Sequence, residues 1–250
     1  MTAGRPRICD YEGSTYQSDF WDKGGREYED GAEALALRRL LPPAGRWLLE
    51  IGAGAGRNTP RYAGYERIVL LDYSRTQIQQ AGARLGPNER YLFVAADAHR
   101  LPFAPGVFDA ATMIRVIHHL DDAPGALRQA AAALKPGGVL VLEFASKLHL
   151  KAIARWLLRR QAWSPFDSAR VEFAALNFDY HPRAMLGWLR EAGLRPRQVR
   201  AVSYFRLPLL KRIVPLRWLL WLDGLLQPTG RLGTLSPSVF VRAEREERLG

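Results

Sequence analysis

The stretch LLEIGAGAGRN, residues 48–58, is an apolar run that ends in a carboxylate and continues into a loop with three glycines, Gly52, Gly54 and Gly56. This pattern predicts a β-strand followed by a tight loop and a helix, in which backbone N–H groups and bare Cα atoms lie close to a ligand. Glycine is required in such a loop wherever a Cβ atom would collide with its surroundings. Many glycine turns only join a strand to a helix, so a loop without a ligand remains the alternative at this point.

The composition is that of a globular protein with an ordinary core. The chain has 250 residues, of which 48% are hydrophobic. Its single cysteine, Cys9, excludes an internal disulfide, and the polar start of the chain lacks the apolar stretch of a signal peptide, so we expect a cytoplasmic protein. No metal-ligand spacing is present, and the apolar stretch at 207–226 is interrupted by charges and prolines, so neither a metal site nor a membrane span is predicted.

Short β-like runs alternate with helical stretches from residue 45 to residue 145, which predicts βαβ units and a parallel sheet with helices on both faces. The predicted strands of this region are 46–51, 67–72, 91–97, 108–116 and 138–145. Asp122 and Pro124 predict the start of a helix before the last of these strands, and KPGG at 135–138 predicts its end. Further along the chain, the pattern predicts helices at 147–160 and 182–194 and closing strands at 197–205 and 236–244.

These elements divide the chain into four predicted parts. They are an N-terminal helical arm or lid (1–44), a nucleotide-binding type of core (45–146), a basic helical cap inserted into it (147–195), and the closing strands with a further insertion (196–250).

The formal charge of +11 is unevenly distributed. Between Lys147 and Arg217 the sequence holds 15 Lys and Arg residues against 4 Asp and Glu residues, whereas the remainder holds 21 of each. Within this segment, 147–160 carries basic residues on one face and apolar residues on another, which predicts an amphipathic helix. Such a segment binds nucleic acid, anionic lipid headgroups or an acidic substrate, or it is only a solvated surface.

Two aspartates follow the strands after the glycine loop. Asp72 ends the second predicted strand, where an acidic side chain accepts hydrogen bonds from both hydroxyls of a ribose, and Asp97 ends the third. The glycine order, followed by Arg57, differs from the G-x-G-x-x-G pattern of dinucleotide-binding loops, and a Walker lysine is missing. Glu50 in front of the loop disfavours a phosphate and favours a ligand with a positively charged group.

Five segments in this order and spacing, LLEIGAGAGRN, LLDYS, AADAHRLPF, FDAATMIRVIHHL and LKPGGVLVLEF, resemble the successive motifs of class I S-adenosylmethionine-dependent methyltransferases. The resemblance extends over residues 45–145 and is strongest to the small-molecule group that includes the ubiquinone and menaquinone biosynthesis enzymes. It implies an α/β fold: a Rossmann-like, doubly wound, seven-stranded sheet, mostly parallel with one antiparallel edge strand, to which this chain adds a helical cap.

The resemblance implies S-adenosylmethionine as the cofactor and assigns a part of it to each motif. It places the methionine end at Glu50 and the loop, the ribose at Asp72, the adenine at Tyr73, Asp97 and Ala98, and the sulfonium near Arg115. The cofactor residues implied in this way are Glu50, Gly52, Ala53, Gly54, Gly56, Asp72, Tyr73, Asp97, Ala98 and Arg115.

The polar and aromatic segment at 10–29 often folds over the cofactor in the resembled family. Tyr11 and Tyr16 are therefore candidate lid residues that also contact the cofactor, and Arg26 is a candidate partner for its carboxylate end. A lid would exclude water from the sulfonium. The alternative is a helical arm that only packs on the core.

Methyl transfer from a sulfonium is an in-line displacement, so most of the catalysis comes from holding the acceptor in the right orientation. A base is needed only if the acceptor must lose a proton. The candidates are His118 and His119 after the fourth strand, with His181 and Glu143 as further possibilities, because histidine titrates near neutral pH. The alternative is that a histidine here only holds the loop that follows it.

The sequence says less about the acceptor. Enzymes that methylate exocyclic amines of nucleic-acid bases commonly carry an Asn/Asp-Pro-Pro-aromatic tetrapeptide after the fourth strand, whereas this chain has the residues Ile114 to Ile117 there. We therefore expect a small-molecule acceptor, for which a lipophilic compound is one candidate, and no specific nucleic acid. An RNA-modifying enzyme and a cofactor-binding protein without transfer activity are the alternatives.

Two properties of the whole molecule stay open at this point. The basic segment 147–217, with its tryptophans, is compatible with peripheral contact to a membrane surface or with a cap packed on the core. Either a monomer or a homodimer is compatible with the sequence.

Overall fold

The computed structural model describes residues 12–13, 23–231 and 235–247. Tyr11 and Tyr16, the candidate lid residues, lie outside these ranges. The strands, in chain order, are β1 (Gly45–Ile51), β2 (Tyr65–Asp72), β3 (Tyr91–Ala95), β4 (Phe108–Met113), β5 (Leu134–Ala145), β6 (Val171–Ala174), β7 (Asn177–Asp179), β8 (Leu194–Val202) and β9 (Ser238–Arg245). The helices are α1 (Glu27–Leu40), α2 (Arg75–Leu85), α3 (Ala123–Ala133), α4 (Leu150–Leu157), α5 (Pro182–Glu191), α6 (Pro208–Ile213) and α7 (Leu216–Leu226).

Within the described residues, seven strands form one sheet in the order β3-β2-β1-β4-β5-β9-β8, and β6 and β7 form a separate hairpin. The strands β1 to β5 pair in parallel, whereas β9 is antiparallel to both of its neighbours, β5 and β8. The predicted seven-stranded, mostly parallel sheet is confirmed, with its antiparallel pairing at one side. The antiparallel strand is β9, which lies next to the edge in the order of the sheet, and the edge strand itself is β8.

Apolar residues on both faces of the central strands explain why helices cover both sides of the sheet. Leu48 and Leu49 are adjacent in β1 and both fully buried, yet they pack into two different apolar clusters. The cluster around Leu49 includes residues of α3 and α5, and the cluster around Leu48 includes residues of α1 and α7. The sheet is therefore the middle layer of the fold. Its two faces are covered by helices, so a site is expected at the ends of the strands.

Some element boundaries differ from the sequence prediction for reasons that the contacts make clear. The strand β5 begins at Leu134, which pairs with Phe108. The residues of KPGG, 135–138, therefore belong to the strand, whereas the sequence predicted a turn before it. The helix predicted at 147–160 is confined to α4, because Lys147 is fully buried in an ion pair with Asp167 at 2.7 Å and does not lie on the helix.

The proline- and tryptophan-rich insertion between the closing strands, in which no secondary structure was predicted, forms α6 and α7. Pro208 stands in the first turn of α6, where a proline needs no hydrogen-bond donor, and Pro215 precedes α7. In the described ranges, no helix combines the length and the apolar character needed to cross a bilayer. The same ranges hold no group of three or more His, Cys, Asp or Glu residues placed to bind a metal ion.

Candidate functional site

The glycine loop after β1 has backbone conformations that other residues rarely adopt. Gly52, Gly54 and Gly56 have φ angles of 69°, 55° and 74°. A Cβ atom on Gly52 would lie 2.1 Å from Cγ2 of Val116, so glycine is required where the loop meets the segment after β4. On Gly54 the nearest atom to a Cβ would be Oε1 of Gln77 at 3.8 Å, which leaves open space beside the loop.

Asp72 ties the glycine loop to the end of β2. Its Oδ2 accepts a hydrogen bond from the Gly54 N–H at 2.8 Å, and its Oδ1 accepts one from the Ser74 N–H at 3.0 Å. Burial raises the pKa of Asp72, and the backbone hydrogen bonds act against that rise. Ser74 in turn caps α2, because its side chain accepts from the Gln77 N–H. The carboxylate therefore organises the loop, and each of its oxygens retains capacity for a further hydrogen bond.

Glu50 is buried at the end of β1. Its Oε2 accepts a hydrogen bond from the Thr59 hydroxyl at 2.6 Å, and its Oε1 lies 3.4 Å from the Tyr62 hydroxyl, which donates to it. Burial raises the pKa of Glu50 to about 7, although the hydrogen bond from Thr59 and the charge of Arg57 act in the opposite direction. A positively charged group of a ligand beside Glu50 would favour the ionised carboxylate and so oppose the effect of burial on its pKa.

Asp97 was predicted to end the third strand, but β3 ends at Ala95, so Asp97 lies two residues past it and is partly exposed. Its Oδ1 accepts hydrogen bonds from the backbone N–H of His99 at 2.8 Å and from the His99 ring Nδ1 at 2.9 Å. Ala98 lies between them and packs partly against the core. On the neighbouring strand end, the Tyr73 ring is 49% exposed. An exposed aromatic residue and a partly exposed carboxylate just past two adjacent strands suit a flat heterocycle with an amino group.

Arg115, just past β4, is held from two sides. Its backbone, with a φ of 60°, donates from N–H to Oε2 of Glu143 at 2.9 Å. Its Nε donates to Oε1 of Glu33, a fully buried residue of α1, at 2.7 Å, and Arg57 donates to the other oxygen of Glu33 at 2.7 Å. Burial alone would raise the pKa of Glu33, but the charges of Arg115 and Arg57 hold it at about 2.

His118 and His119 lie in a short helical turn after Arg115, with their ring centroids 4.1 Å apart. Nδ1 of His118 is buried and has no hydrogen-bond partner in the described part of the chain. Burial, then the charges of His119 and two arginines, lowers the pKa of His118 well below its ordinary value. His119 Nδ1 is 3.1 Å from the Leu176 carbonyl, and burial also lowers its pKa. Both rings are therefore neutral at physiological pH.

The two other base candidates have structural partners. Glu143 accepts hydrogen bonds from the Arg115 N–H and from the Ser238 hydroxyl at 2.7 Å. His181 precedes α5 and accepts from the Arg183 N–H at 3.1 Å, so it caps that helix. The contacts of Glu143 and His181 therefore hold the backbone in place, and neither has a contact that points to a role as a base.

Sequence reasoning missed several residues near the candidate site. Glu33 gave no signal, because it lies on a helix far from every motif. His99 and Arg57 stand inside quoted motifs and could have been noticed there. Arg206, which follows β8, was one of many basic residues in its segment.

Most of the candidate cofactor residues lie at one edge of the sheet. The parallel strands β1, β2, β3 and β4 end side by side there, which is where nucleotides bind to open α/β sheets. The buried carboxylate Glu50, the open loop at Gly54, the carboxylate of Asp72 and the exposed Tyr73 ring fit the amino group, the amino-acid chain, the ribose and the adenine of S-adenosylmethionine.

Known proteins give the same picture. The family model described as "Methyltransferase domain" matches residues 49–142. The 27-O-demethylrifamycin SV methyltransferase of Amycolatopsis mediterranei is 29% identical over 211 residues, which cover 78% of this chain and 72% of that protein. The demethylmenaquinone methyltransferase of Mycolicibacterium vanbaalenii is 34% identical over 148 residues, 57% of this chain and 58% of that protein.

A solved structure shares the fold. The 1,6-didemethyltoxoflavin-N1-methyltransferase of Burkholderia thailandensis, crystallised with S-adenosylhomocysteine, superposes with a TM-score of 0.58 at 19% identity, over 93% of this chain and 86% of that one. The sheet topology, the family model over residues 49–142 and these relatives agree: this part of the chain is a methyltransferase domain of the S-adenosylmethionine-dependent type.

Proposed function

We propose that this enzyme transfers the methyl group of S-adenosylmethionine to a hydroxyl oxygen of a small acceptor, with His118 as the base. The observation that carries this proposal is the buried Nδ1 of His118, which has no partner in the described residues and belongs to a neutral ring just past β4. The relatives support a small acceptor, and the one named as a 27-O-demethylrifamycin SV methyltransferase supports an oxygen nucleophile.

In this proposal the chain holds the cofactor through the residues of the strand ends. Glu50 and the loop of Gly52, Ala53, Gly54 and Gly56 hold the methionine end. Asp72 binds the ribose, while Tyr73, Asp97 and Ala98 contact the adenine. Arg115 shapes the sulfonium side through its backbone, because its side chain pairs with Glu33. When bound there, S-adenosylmethionine supplies an electrophilic methyl group on a sulfur that leaves as a neutral thioether.

The chain's own contribution to the reaction is orientation and proton transfer. A neutral His118 accepts the proton of the acceptor hydroxyl, and a lowered pKa keeps the ring neutral over the physiological range. His119, whose ring lies against His118, fixes the turn through the Leu176 carbonyl and is the second candidate for the proton. Both roles depend on the acceptor lying between the histidines and the glycine loop.

Calorimetry followed by product detection tests the proposal. The purified protein should bind S-adenosylhomocysteine, and incubation with S-adenosylmethionine and a panel of hydroxylated small molecules should give a product heavier by one methylene unit in mass spectrometry. A protein that binds no cofactor contradicts the proposal outright. Binding of the cofactor with methylation of RNA, and of no small molecule, would favour the RNA-modifying alternative, and binding without any transfer would favour a cofactor-binding protein.

We further infer that this enzyme works at the surface of an anionic membrane. The support is an apolar surface on α6 and α7, in which Leu209, Ile213, Trp218 and Trp221 are 67%, 68%, 50% and 56% exposed. Basic side chains accompany this apolar surface, and Arg212 and Arg217 are exposed on the same two helices. Apolar side chains next to basic ones are typical of helices that rest in the headgroup region of a bilayer.

A membrane location also suits a lipophilic acceptor, which would be concentrated in the bilayer. The helix α4 repeats the pattern, because its residues Leu150 and Leu157, and Leu158 directly after it, are exposed among the basic residues of the segment 147–217. A cytoplasmic location of the enzyme, a monomeric or homodimeric state, and the division into parts at 44, 146 and 195 stay predictions.

A further inference from the structure

A groove of about 530 Å³ lies between α1 and α7. On α1 it is lined by Gly31, Leu35 and Arg38, whose spacing of four and then three residues places them on one stripe of the helix. The residues that line it at the same spacing on α7 are Arg217, Trp221 and Gly224. Each helix therefore contributes a glycine, an apolar side chain and a basic side chain to the groove.

Close contacts between the two helices form the base of the groove. A Cβ atom on Gly31 would lie 2.8 Å from Cδ2 of Leu220, so glycine at this position allows that leucine to pack against α1. Arg39 crosses in the other direction, because its Nη1 donates to the Gly224 carbonyl at 2.7 Å and to Oε1 of Gln227 at 3.1 Å. The groove is therefore a defined feature of the packing of α1 against α7.

The groove carries positive charge. Arg38, Arg39 and Arg217 line it, whereas no acidic residue does in the described part of the chain. The ion pairs found among the described residues involve none of these three arginines. Arg38 and Arg217 are exposed, and the guanidinium of Arg217 lies 5.8 Å from the centre of the Trp218 ring, a contact that leaves its N–H groups able to donate.

The carboxylates of the same two helices do not neutralise this charge. All of them accept hydrogen bonds from groups that do not line the groove, and these residues are Glu27, Glu29, Asp30, Glu33 and Asp223. An anion in the groove would therefore meet guanidinium groups and no competing carboxylate. Phosphate oxygens suit such a site, because guanidinium groups donate charge-assisted hydrogen bonds to them.

Apolar side chains make up much of the remaining wall, and they adjoin the exposed surface of α6 and α7. Trp221 belongs to both, since it lines the groove and packs edge-to-face against Trp218 with 6.0 Å between the ring centroids. Leu225, which also lines the groove, is exposed. A volume of about 530 Å³ is ordinary for a small-molecule site and exceeds the needs of a single phosphate ion.

We propose that this groove binds one anionic phospholipid, whose phosphate pairs with Arg38 and Arg217 and whose first acyl carbons pack against Leu35 and Trp221. A free phosphate would leave the apolar wall in water, and a neutral lipid would leave the arginines without an anion. None of the candidate cofactor residues lines the groove, so the site is separate from that of methyl transfer. The inference rests on the proposed membrane contact for the source of the lipid.

The test uses dihexanoyl-phosphatidylglycerol below its micellar concentration, so that single lipid molecules are offered and no membrane is present. Calorimetry of the wild-type protein should show one lipid bound per chain. Dihexanoyl-phosphatidylcholine, whose headgroup has no net charge, should bind at least about tenfold more weakly. Glycerol 3-phosphate, which lacks acyl chains, should also bind at least about tenfold more weakly, because it buries no apolar surface.

Two variants test the two halves of the groove. Arg38→Gln with Arg217→Gln removes both exposed charges and should weaken phosphatidylglycerol binding at least about tenfold. Ala34→Phe places a ring among the lining residues and should weaken the binding of both lipids. The matched control is Arg183→Gln with Arg190→Gln, which removes two exposed charges from α5 and should bind lipid as the wild type does. Circular dichroism and S-adenosylhomocysteine binding of each variant check that the fold is kept.

The outcomes separate this inference from the proposed function. The lipid site is contradicted if the monomeric phosphatidylglycerol does not bind, if both lipids bind equally, or if glycerol 3-phosphate binds as tightly as the lipid. It is also contradicted if the control variant loses as much binding as the variant of Arg38 and Arg217. Normal binding of the monomeric lipid, without any binding to anionic vesicles, would support the groove and contradict only the membrane contact. Failure to bind S-adenosylhomocysteine would contradict the methyl transfer alone.

Discussion

Glu33 on α1 accepts a hydrogen bond from Nε of Arg115 at 2.7 Å, across 82 positions of sequence, and this bond attaches the first helix to the segment after β4. The segment carries His118 and His119, so the helix supports the turn that presents them. Arg57 of the glycine loop donates to the second oxygen of Glu33 at 2.7 Å. One buried carboxylate therefore joins the loop, the helix and the turn after β4.

Replacing Glu33 should remove a pH-dependent part of the stability. Its pKa is about 2 in the fold, against about 4.3 in an unfolded chain, which corresponds to roughly 3 kcal/mol. Because the pKa is lowered on folding, this stability is fully present above the unfolded value and is lost as the pH falls towards 2. In urea unfolding at pH 7, the free energy of unfolding of Glu33→Gln should be lower than that of the wild type by about 3 kcal/mol.

The pH dependence provides the control. Between pH 5 and pH 3 the wild-type protein should lose stability more steeply than Glu33→Gln, since the variant has no carboxylate to protonate. Glu66→Gln, an exposed substitution on β2, should follow the wild type. Parallel curves for Glu33→Gln and wild type would mean that Glu33 is not ionised in the folded protein.

A pair of glycine substitutions tests the shape of the loop. Gly52→Ala would place a Cβ atom 2.1 Å from Val116 at a φ of 69°, so we expect a loss of about 2 kcal/mol in the free energy of unfolding. Gly82→Ala lies in α2 with nothing within 4 Å of the new atom and should stabilise the protein by about 1 kcal/mol. Equal effects in chemical unfolding would show that the loop tolerates a side chain.

Asp72→Ala should weaken the binding of S-adenosylhomocysteine. Two ribose hydrogen bonds of roughly 1 kcal/mol each correspond to a loss of affinity of about 30-fold. The substitution also removes the acceptor of the Gly54 and Ser74 N–H groups, so Asp72→Asn, which keeps one oxygen acceptor, should bind with intermediate affinity. Calorimetry of both variants, with the exposed Glu89→Ala as control, checks this order; unchanged affinity in Asp72→Ala would remove the ribose assignment.

The pH profile of methyl transfer should report His118. Because its pKa is lowered, the ring stays neutral and competent as a base until the pH falls well below 6.5, and activity should decline only there. His118→Asn should lower kcat by about 10²- to 10⁴-fold. His181→Asn keeps a good helix-capping residue on α5 and should leave kcat and the profile as in the wild type. A profile that declines with a midpoint at or above 6.5 would contradict the assignment.

The sheet and the cofactor edge were readable from the sequence because each depends on local pattern. Apolar runs bounded by turn residues mark β1, β2, β3 and β5, and Asp72 at the end of β2 and Asp97 just past β3 follow once those strands are placed. The helices α6 and α7 were missed, because prolines and charges interrupt an apolar stretch that has no clean period.

The contacts between distant segments were beyond sequence reasoning. Nothing in α1 distinguishes Glu33 from its other acidic residues until the fold places it against Arg115. Arg206 is similar, since it is one of 15 basic residues in its segment and only tertiary packing leaves its Nε buried. The charge excess was compatible with an anionic partner for the segment as a whole. The charge excess did not separate the exposed cations from Arg206, whose Nε is buried.

Membrane contact through α6 and α7 should depend on both apolar side chains and charge. The wild-type protein should sediment with vesicles of phosphatidylcholine and phosphatidylglycerol, and more weakly with phosphatidylcholine alone, because anionic lipid attracts the basic residues. Trp218→Ser with Trp221→Ser removes two half-exposed rings and should weaken vesicle binding at least about tenfold. The binding that remains should fall further at high salt, since exposed charges are screened.

The control is a second pair of exposed apolar residues, Leu92→Ser with Phe93→Ser on the edge strand β3, which should leave vesicle binding unchanged. A loss of binding in both double variants would indicate non-specific hydrophobic adsorption and not binding through the surface of α6 and α7. If the wild-type protein stays in the supernatant with anionic vesicles, the exposed face of α6 and α7 does not contact lipid. If the wild-type protein binds both kinds of vesicle equally, its apolar residues contribute to binding, but the basic segment does not attract anionic lipid, which contradicts the role proposed for that segment.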